Sequence, residues 1–291
     1  MKIKTSSVDT NNYFTYTLSN GLKIIAISDL KADKAGCALS VSVGSYDEPK
    51  EIQGLAHFLE HMLFMGTKEY PRENEYMDFL TQHNGSSNAY TCNENTVYFF
   101  DVGLNYFYEA LKIFSSFFKN PLFLKESVDR EISAVHSEFL NGKCNDSWRI
   151  FRMIQLCCKE DLPESQFNVG NNKTLRIEKI NEIVKKFWEE KYSSEKMCVV
   201  LYSNETEEKI KKYCELFEGI SQGGNKGNSK DKGEDDNGGI SNGDLNGGNG
   251  TKVIQDIKHE STNKGIVNPL KYPESTSPFK DEILLKTFFI K

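Results

Sequence analysis

The order of two hydrophobic periodicities along the 291 residues predicts an α+β fold. Segments with two-residue alternation come first, helical periods follow, and one strand and one helix close the pattern. Alternating βαβ units would interleave the two, so the expectation is a sheet with a layer of helices. No run of eighteen apolar residues exists, which argues against a spanning helix.

"YFTYTLSNGLKIIAISD" reads as two strands joined at Asn20-Gly21, a dipeptide suited to a tight hairpin. "KAGCALSVSVGS" alternates small and apolar residues as a third strand. From Gln53 the period changes: "GLAHFLEHMLFM" is helical and stops at Gly66. A helix starts near Asn74 and ends at Gly85, and "SSNAYTCNENTVYFFDV" returns to strand character around a turn-forming "NEN". Three helical stretches follow: "NYFYEALKIFSSFFKN", "KESVDREISAVHSEFLNG" and "CNDSWRIFRMIQLCCK". "RIEKINEIVKKFWEEKY" is a further helix, "KMCVVLYSN" a buried strand and "TEEKIKKYCELFEGI" a closing helix.

Near residue 222 the composition turns to Gly, Asn, Lys and Asp. Such a stretch has too little apolar surface to offset its ordering entropy, so residues 222–267 are expected to be disordered. "YPESTSPFKDEILLKTFFIK" then regains strand character. A net charge of −6 argues against a general nucleic-acid or anionic-membrane binder. "MKIKTSSVDTNNYF" has no apolar signal core. Seven scattered cysteines, without a C-x-x-C pair, fit reduced thiols. A cytoplasmic protein is the resulting expectation.

Chemistry concentrates in "GLAHFLEHMLFM". On a helix, His57 and His61 lie one turn apart on one face, about 6 Å along the axis. Two imidazoles so placed can each give a nitrogen to one zinc ion. Glu60 points near the same spot, where a carboxylate can take a proton from water. H-x-x-E-H is the inverted form of the metalloprotease helix motif. Taken alone, the pentapeptide also fits a structural role, but the surrounding Leu55, Phe58, Leu59, Met62, Leu63 and Phe64 make three polar groups costly without a shared purpose. A third ligand must come from elsewhere, and "ESVDREISAVHSEF" is its source. Glu131 and Glu138 are two turns apart on nearly one face; one can ligate while the other orients a histidine. His136 sits about 200° round the helix from Glu138 and is a poor partner. His83 and His259 are assigned to surface and linker.

The stretch from "GLAHFLEHMLFMGTKEYPRENEY" through "NGSSNAYT", with "DREISAVHSEF", "NDSWRIFRM", "FNVGNNKTL" and "KYSSEKMCVV", resembles the catalytic N-terminal module of the insulinase-type (inverzincin) zinc metallopeptidases. Within that family it is similar to the insulysin type rather than to mitochondrial processing peptidases. Similarity runs from about residue 14 to 220 and resumes at "YPEST", so the whole of 1–291 is expected to be one module with a low-complexity insertion. The resemblance implies a mixed, mainly antiparallel sheet packed with helices on one side.

It also implies roles. His57, His61 and Glu138 hold one Zn2+, Glu131 supports the ligands and Glu60 is the base. "SSNAY" becomes an edge strand that pairs with an extended peptide through Asn88 and Ala89. Phe64, Tyr90, Trp148 and Phe151 fall on apolar walls of the substrate pocket. Family members of this type carry four modules, and their second half closes a chamber and supplies an arginine and a tyrosine. With one module, the chain is expected to be a fragment that needs a C-terminal half or partner subunit. Two readings stay open at this point: a zinc endopeptidase of short or unfolded peptides, and a peptide-binding or assembly module that keeps zinc without turnover.

Overall fold

A computed structural model describes residues 6–223. The expected strand after residue 271, the low-complexity stretch from residue 224 onward and His259 lie outside the described residues.

Six strands form one sheet: β1 (Asn12–Thr17), β2 (Lys23–Ser28), β3 (Lys34–Val41), β4 (Ser86–Thr91), β5 (Thr96–Gly103) and β6 (Met197–Ser203). Their order across the sheet is β1-β2-β6-β3-β5-β4. Every neighbouring pair is antiparallel except β2 with β6. The hairpin expected at Asn20-Gly21 closes β1 on β2, with Thr17 opposite Lys23. β6 then enters between β2 and β3, a parallel insertion from almost 160 residues downstream that no local pattern encodes.

Alternation decides which face is covered. Ala35, Cys37, Leu39 and Val41 of β3 are buried, as are Tyr98, Phe100 and Val102 of β5 and Met197, Val199 and Leu201 of β6. The intervening residues of each strand are half-buried or exposed. The helices therefore pack on one side, as expected. They are α1 (Leu55–Leu63), α2 (Glu75–Gln82), α3 (Phe107–Ser116), α4 (Lys125–Gly142), α5 (Asp146–Cys157), the short α6 (Asn172–Leu175), α7 (Ile180–Lys191) and α8 (Glu207–Glu215). No described helix is long and apolar enough to cross a membrane. The described cysteines are all free thiols.

Two helix ends differ from expectation. α1 stops at Leu63, because the next N–H groups, of Phe64 and Met65, tighten onto the carbonyls three residues back. α2 stops at Gln82, and Asn84 (φ 58°) takes the left-handed position that Gly85 was expected to fill. The four-residue α6 had no periodicity to reveal it; a capping box between Asn171 and Thr174 creates it.

The placement of α1 matters most for the site. Leu55, Phe58, Leu59, Met62 and Leu63 are fully buried and fix the helix on the sheet. Truncating one such residue to alanine costs about 2–5 kcal/mol. The remaining face of α1 looks toward α4 and the edge strand β4, and it carries His57, Glu60 and His61.

Candidate metal centre

His57 and His61 stand side by side on α1, ring centroids 4.9 Å apart and planes nearly perpendicular. α4 crosses in front of them. Glu138 Oε2 lies 3.5 Å from His57 Nε2 and 3.6 Å from His61 Nε2. Among the described residues these three side chains form a group able to hold one metal ion. A tetrahedral ion bonded at 2.0–2.2 Å separates its donors by about 3.3–3.6 Å, so the two nitrogen–oxygen distances fit zinc without rearrangement.

Each imidazole is held from behind. His57 Nδ1 is 2.7 Å from the carbonyl oxygen of Val169. A carbonyl only accepts, so Nδ1 carries the proton and Nε2 keeps its lone pair toward Glu138. His61 Nδ1 is 2.9 Å from Glu131 Oε2, which has the same consequence through a full charge. Two turns of α4 thus deliver both carboxylates to one side of α1: Glu138 in front of the rings and Glu131 behind one of them.

Glu60 is buried, only 8% exposed, and its Oε2 accepts a 2.6 Å hydrogen bond from Thr91 Oγ1 on β4. Glu60 lines the cleft beside the two imidazoles. Burial pushes the Glu60 carboxyl up, while the Thr91 hydroxyl and the two imidazoles pull it back. Burial pulls His61 down, but Glu131 and Glu138 overcome it and bring the imidazole up to about 9. Glu138 is held below the ordinary carboxylate value, chiefly by its contact with His61. Three carboxylates around two imidazoles give the site a negative field, and a cation satisfies it.

The centre opens into a cleft of about 760 Å³. Along one wall runs β4, the edge strand of the sheet. Asn88 Oδ1 accepts a 2.9 Å bond from the Ala89 N–H, so the side chain covers a donor on the strand's free edge. Phe64 lines the cleft but also packs edge-on against Phe117 in the core. Trp148 and Phe151 line it from α5, Trp148 with 47% of its surface exposed. Tyr90 borders the cleft, yet its ring packs against Phe99 on the sheet face opposite Thr91.

Contributors that were not predicted include Thr91, Val169, Met77 and Glu48. Thr91 sat inside the quoted "NGSSNAYT", and Val169 inside "FNVGNNKTL", each without a role. Met77 lines the cleft from α2 at helical spacing that reads equally as core. Glu48 is buried, with its carboxylate on the backbone at the start of α1, and burial brings it up to about 8. Of the remaining histidines, His136 stacks on Phe139, away from Glu138. His83 is half-buried and stacked 3.6 Å from Tyr106.

The family model for insulinase (peptidase family M16) matches residues 23–156. Insulin-degrading enzyme-like 2 of Arabidopsis thaliana is 41% identical over 220 residues, covering 73% of this chain and 23% of that protein. Human insulin-degrading enzyme is 42% identical over 210 residues, 70% of this chain and 21% of the relative. The crystal structure of pitrilysin superimposes with a TM-score of 0.73 at 32% identity, over 76% of this chain and 24% of that one. This chain thus spans under a quarter of the length of these relatives, and within that span it belongs to the insulinase family, peptidase family M16.

Proposed function

We propose that the chain is a zinc endopeptidase module that hydrolyses short or unfolded peptides, with His57, His61 and Glu138 as ligands and Glu60 as general base. The observation that carries the reading is the convergence of both Nε2 atoms on Glu138 Oε2 at tetrahedral donor spacing. Glu131 and the Val169 carbonyl fix which nitrogen each ring presents. Zinc, when bound, polarises a peptide carbonyl and makes a nearby water a stronger acid. Glu60 receives the proton of the attacking water at Oε1, while Thr91 keeps Oε2 engaged, and then passes the proton to the leaving amine. Burial, by raising the Glu60 carboxyl, brings its proton affinity closer to that of the groups it serves.

The peptide is placed by β4. Asn88 swings off the Ala89 N–H, and the freed strand edge pairs with an extended substrate. Main-chain pairing holds peptides of varied sequence, and Phe64, Trp148 and Phe151 receive an apolar side chain beside the metal, with Tyr90 at the rim. Positioning the scissile bond in this way supplies the entropic part of the rate.

A second reading follows from length. Because the chain spans under a quarter of its relatives, a C-terminal half or partner subunit is needed to close a chamber, and the module alone binds zinc and peptide without turnover. One experiment separates the readings: a quenched fluorescent peptide assay with metal analysis on the wild type, Glu60→Gln and Glu138→Gln. The expected result is cleavage by wild type, none by Glu60→Gln with zinc retained, and zinc loss in Glu138→Gln. Cleavage by Glu60→Gln at the wild-type rate refutes the mechanism. Stoichiometric zinc and peptide binding with no cleavage by the wild type establishes the second reading.

A further inference from the structure

α1 begins in an unusual way. Its first cap residue, Gly54, is in the left-handed region (φ 89°) and has no side chain to offer the free N–H groups. Glu48, six residues upstream and 6% exposed, does this work instead. Its Oε1 accepts the Gly54 N–H at 2.8 Å and its Oε2 the Ala56 N–H at 3.0 Å. The backbone N–H donors and the positive ends of the peptide dipoles at a helix N-terminus favour the ionised carboxylate, against the burial that raises it.

The same glycine is where a distant strip of backbone touches the helix. A Cβ on Gly54 would lie 2.3 Å from Gly170 Cα and 2.4 Å from Gly170 N, so only glycine permits this approach. Gly170 is itself left-handed (φ 83°). Val169, one residue earlier, gives its carbonyl to His57 Nδ1. On the other flank, Gln53 Oε1 accepts the Phe167 N–H at 3.2 Å. Residues 53–57 and 167–170 are therefore joined at three successive points, the last of which is a proposed metal ligand. α5 holds the strip from outside through Gln155 on Asn168.

We propose that Glu48 and the Gly54–Gly170 contact form a positioning clamp that sets the His57 tautomer and the aim of its Nε2. Glu48 sets where α1 begins, hence the position of a ring one turn further on. The glycine contact sets how close the Val169 carbonyl stands to that ring. Metal sites tolerate about 0.5 Å of ligand displacement, less than the width of the methyl group that either glycine lacks. The inference deepens the metal reading above and rests on His57 being a ligand.

The test uses the full chain with Glu48→Gln and Gly54→Ala. Histidine-selective 15N NMR on chelator-treated protein reads the His57 tautomer directly. Zinc affinity is read by competition with a chromogenic chelator, and circular dichroism confirms folding. Ile210→Val, on the buried face of α8, serves as a destabilised control remote from the site. The wild type is expected to show His57 protonated at Nδ1. Both clamp variants lose that preference and bind zinc about 10–100-fold more weakly, the usual cost of removing support behind a ligand. Ile210→Val keeps both properties. A wild-type His57 protonated at Nε2, or clamp variants within twofold of wild-type affinity, overturns the clamp. Should Gly54→Ala not fold, Glu48→Gln decides. A wild type that binds no zinc refutes the metal reading, whereas the tautomer measurement still judges the clamp.

Discussion

The two histidines of α1 occupy equivalent places on one helix face, yet the protein supports them in different ways. His57, near the start, leans on a neutral main-chain carbonyl whose place is set by backbone contacts. His61, one turn later, leans on the carboxylate of Glu131 from α4. Both arrangements select the tautomer that offers Nε2. Only the second adds charge. A carbonyl fixes geometry, whereas a carboxylate also makes the ring a stronger base and a stronger ligand. One proposed ligand of this pair is therefore vulnerable to changes of shape and the other to changes of charge.

The largest effects test whether the two rings are equal as ligands. His57→Ala and His61→Ala are each expected to abolish stoichiometric zinc in metal analysis, because one imidazole and Glu138 leave only two of the three protein donors such a site needs. Zinc retained at one equivalent by either variant breaks the pairing. A smaller effect separates charge from shape. Glu131→Gln keeps an oxygen that can accept from His61 Nδ1 but removes the charge. Zinc affinity is expected to fall about 10–100-fold with the His61 tautomer unchanged. Unchanged affinity would mean that the charge of Glu131 contributes nothing beyond orientation.

The charge also has a pH signature in the metal-free protein. His61 is raised from 6.5 to about 9, so the folded state holds a proton that the unfolded chain has released over that interval. Its contribution to stability is fully present below pH 6.5 and is lost as pH rises through about 9. Thermal denaturation of chelator-treated protein should therefore show Tm falling across this window, with a shallower fall in Glu131→Gln. Zinc must displace the same proton, so its affinity should rise with pH over the same range.

How much of this was legible in the sequence follows the same division. The sheet and most helices were readable because alternation and helical period are local, and α4 even begins and ends where its pattern does. The parallel seating of β6 beside β2 was not, since strand order depends on contacts between distant segments. At the site, His57, Glu60 and His61 stood out because their chemistry resides in side chains at helical spacing. Assigning Glu138 as ligand and Glu131 as support needed the family resemblance, since the spacing alone left the two exchangeable. The support behind His57 had no residue signature at all. Val169 acts through its carbonyl, which every residue possesses, from 112 positions away. Glu48 lies outside every motif of the sequence, and only the fold puts the start of α1 against it. Shape-based support hides in glycines and backbone, and charge-based support advertises itself.

Thr91 gives the finest test, because it acts on the carboxylate proposed as the base. Its hydroxyl donates to Glu60 Oε2, and that bond favours the ionised base. Thr91→Val keeps the shape and removes the donor. Glu60 then rises further, so the acidic limb of the kcat/KM profile for peptide cleavage should move to higher pH. Zinc content should stay at the wild-type value, since no ligand is touched, while Tm should fall slightly for want of the hydrogen bond to the buried carboxylate. At neutral pH the loss should amount to one hydrogen bond, about 1 kcal/mol or roughly fivefold. A shift of the limb to lower pH would mean that Thr91 accepts from a protonated Glu60 instead. The carboxylate would then serve as a proton donor in the resting site, and the base would have to be found elsewhere.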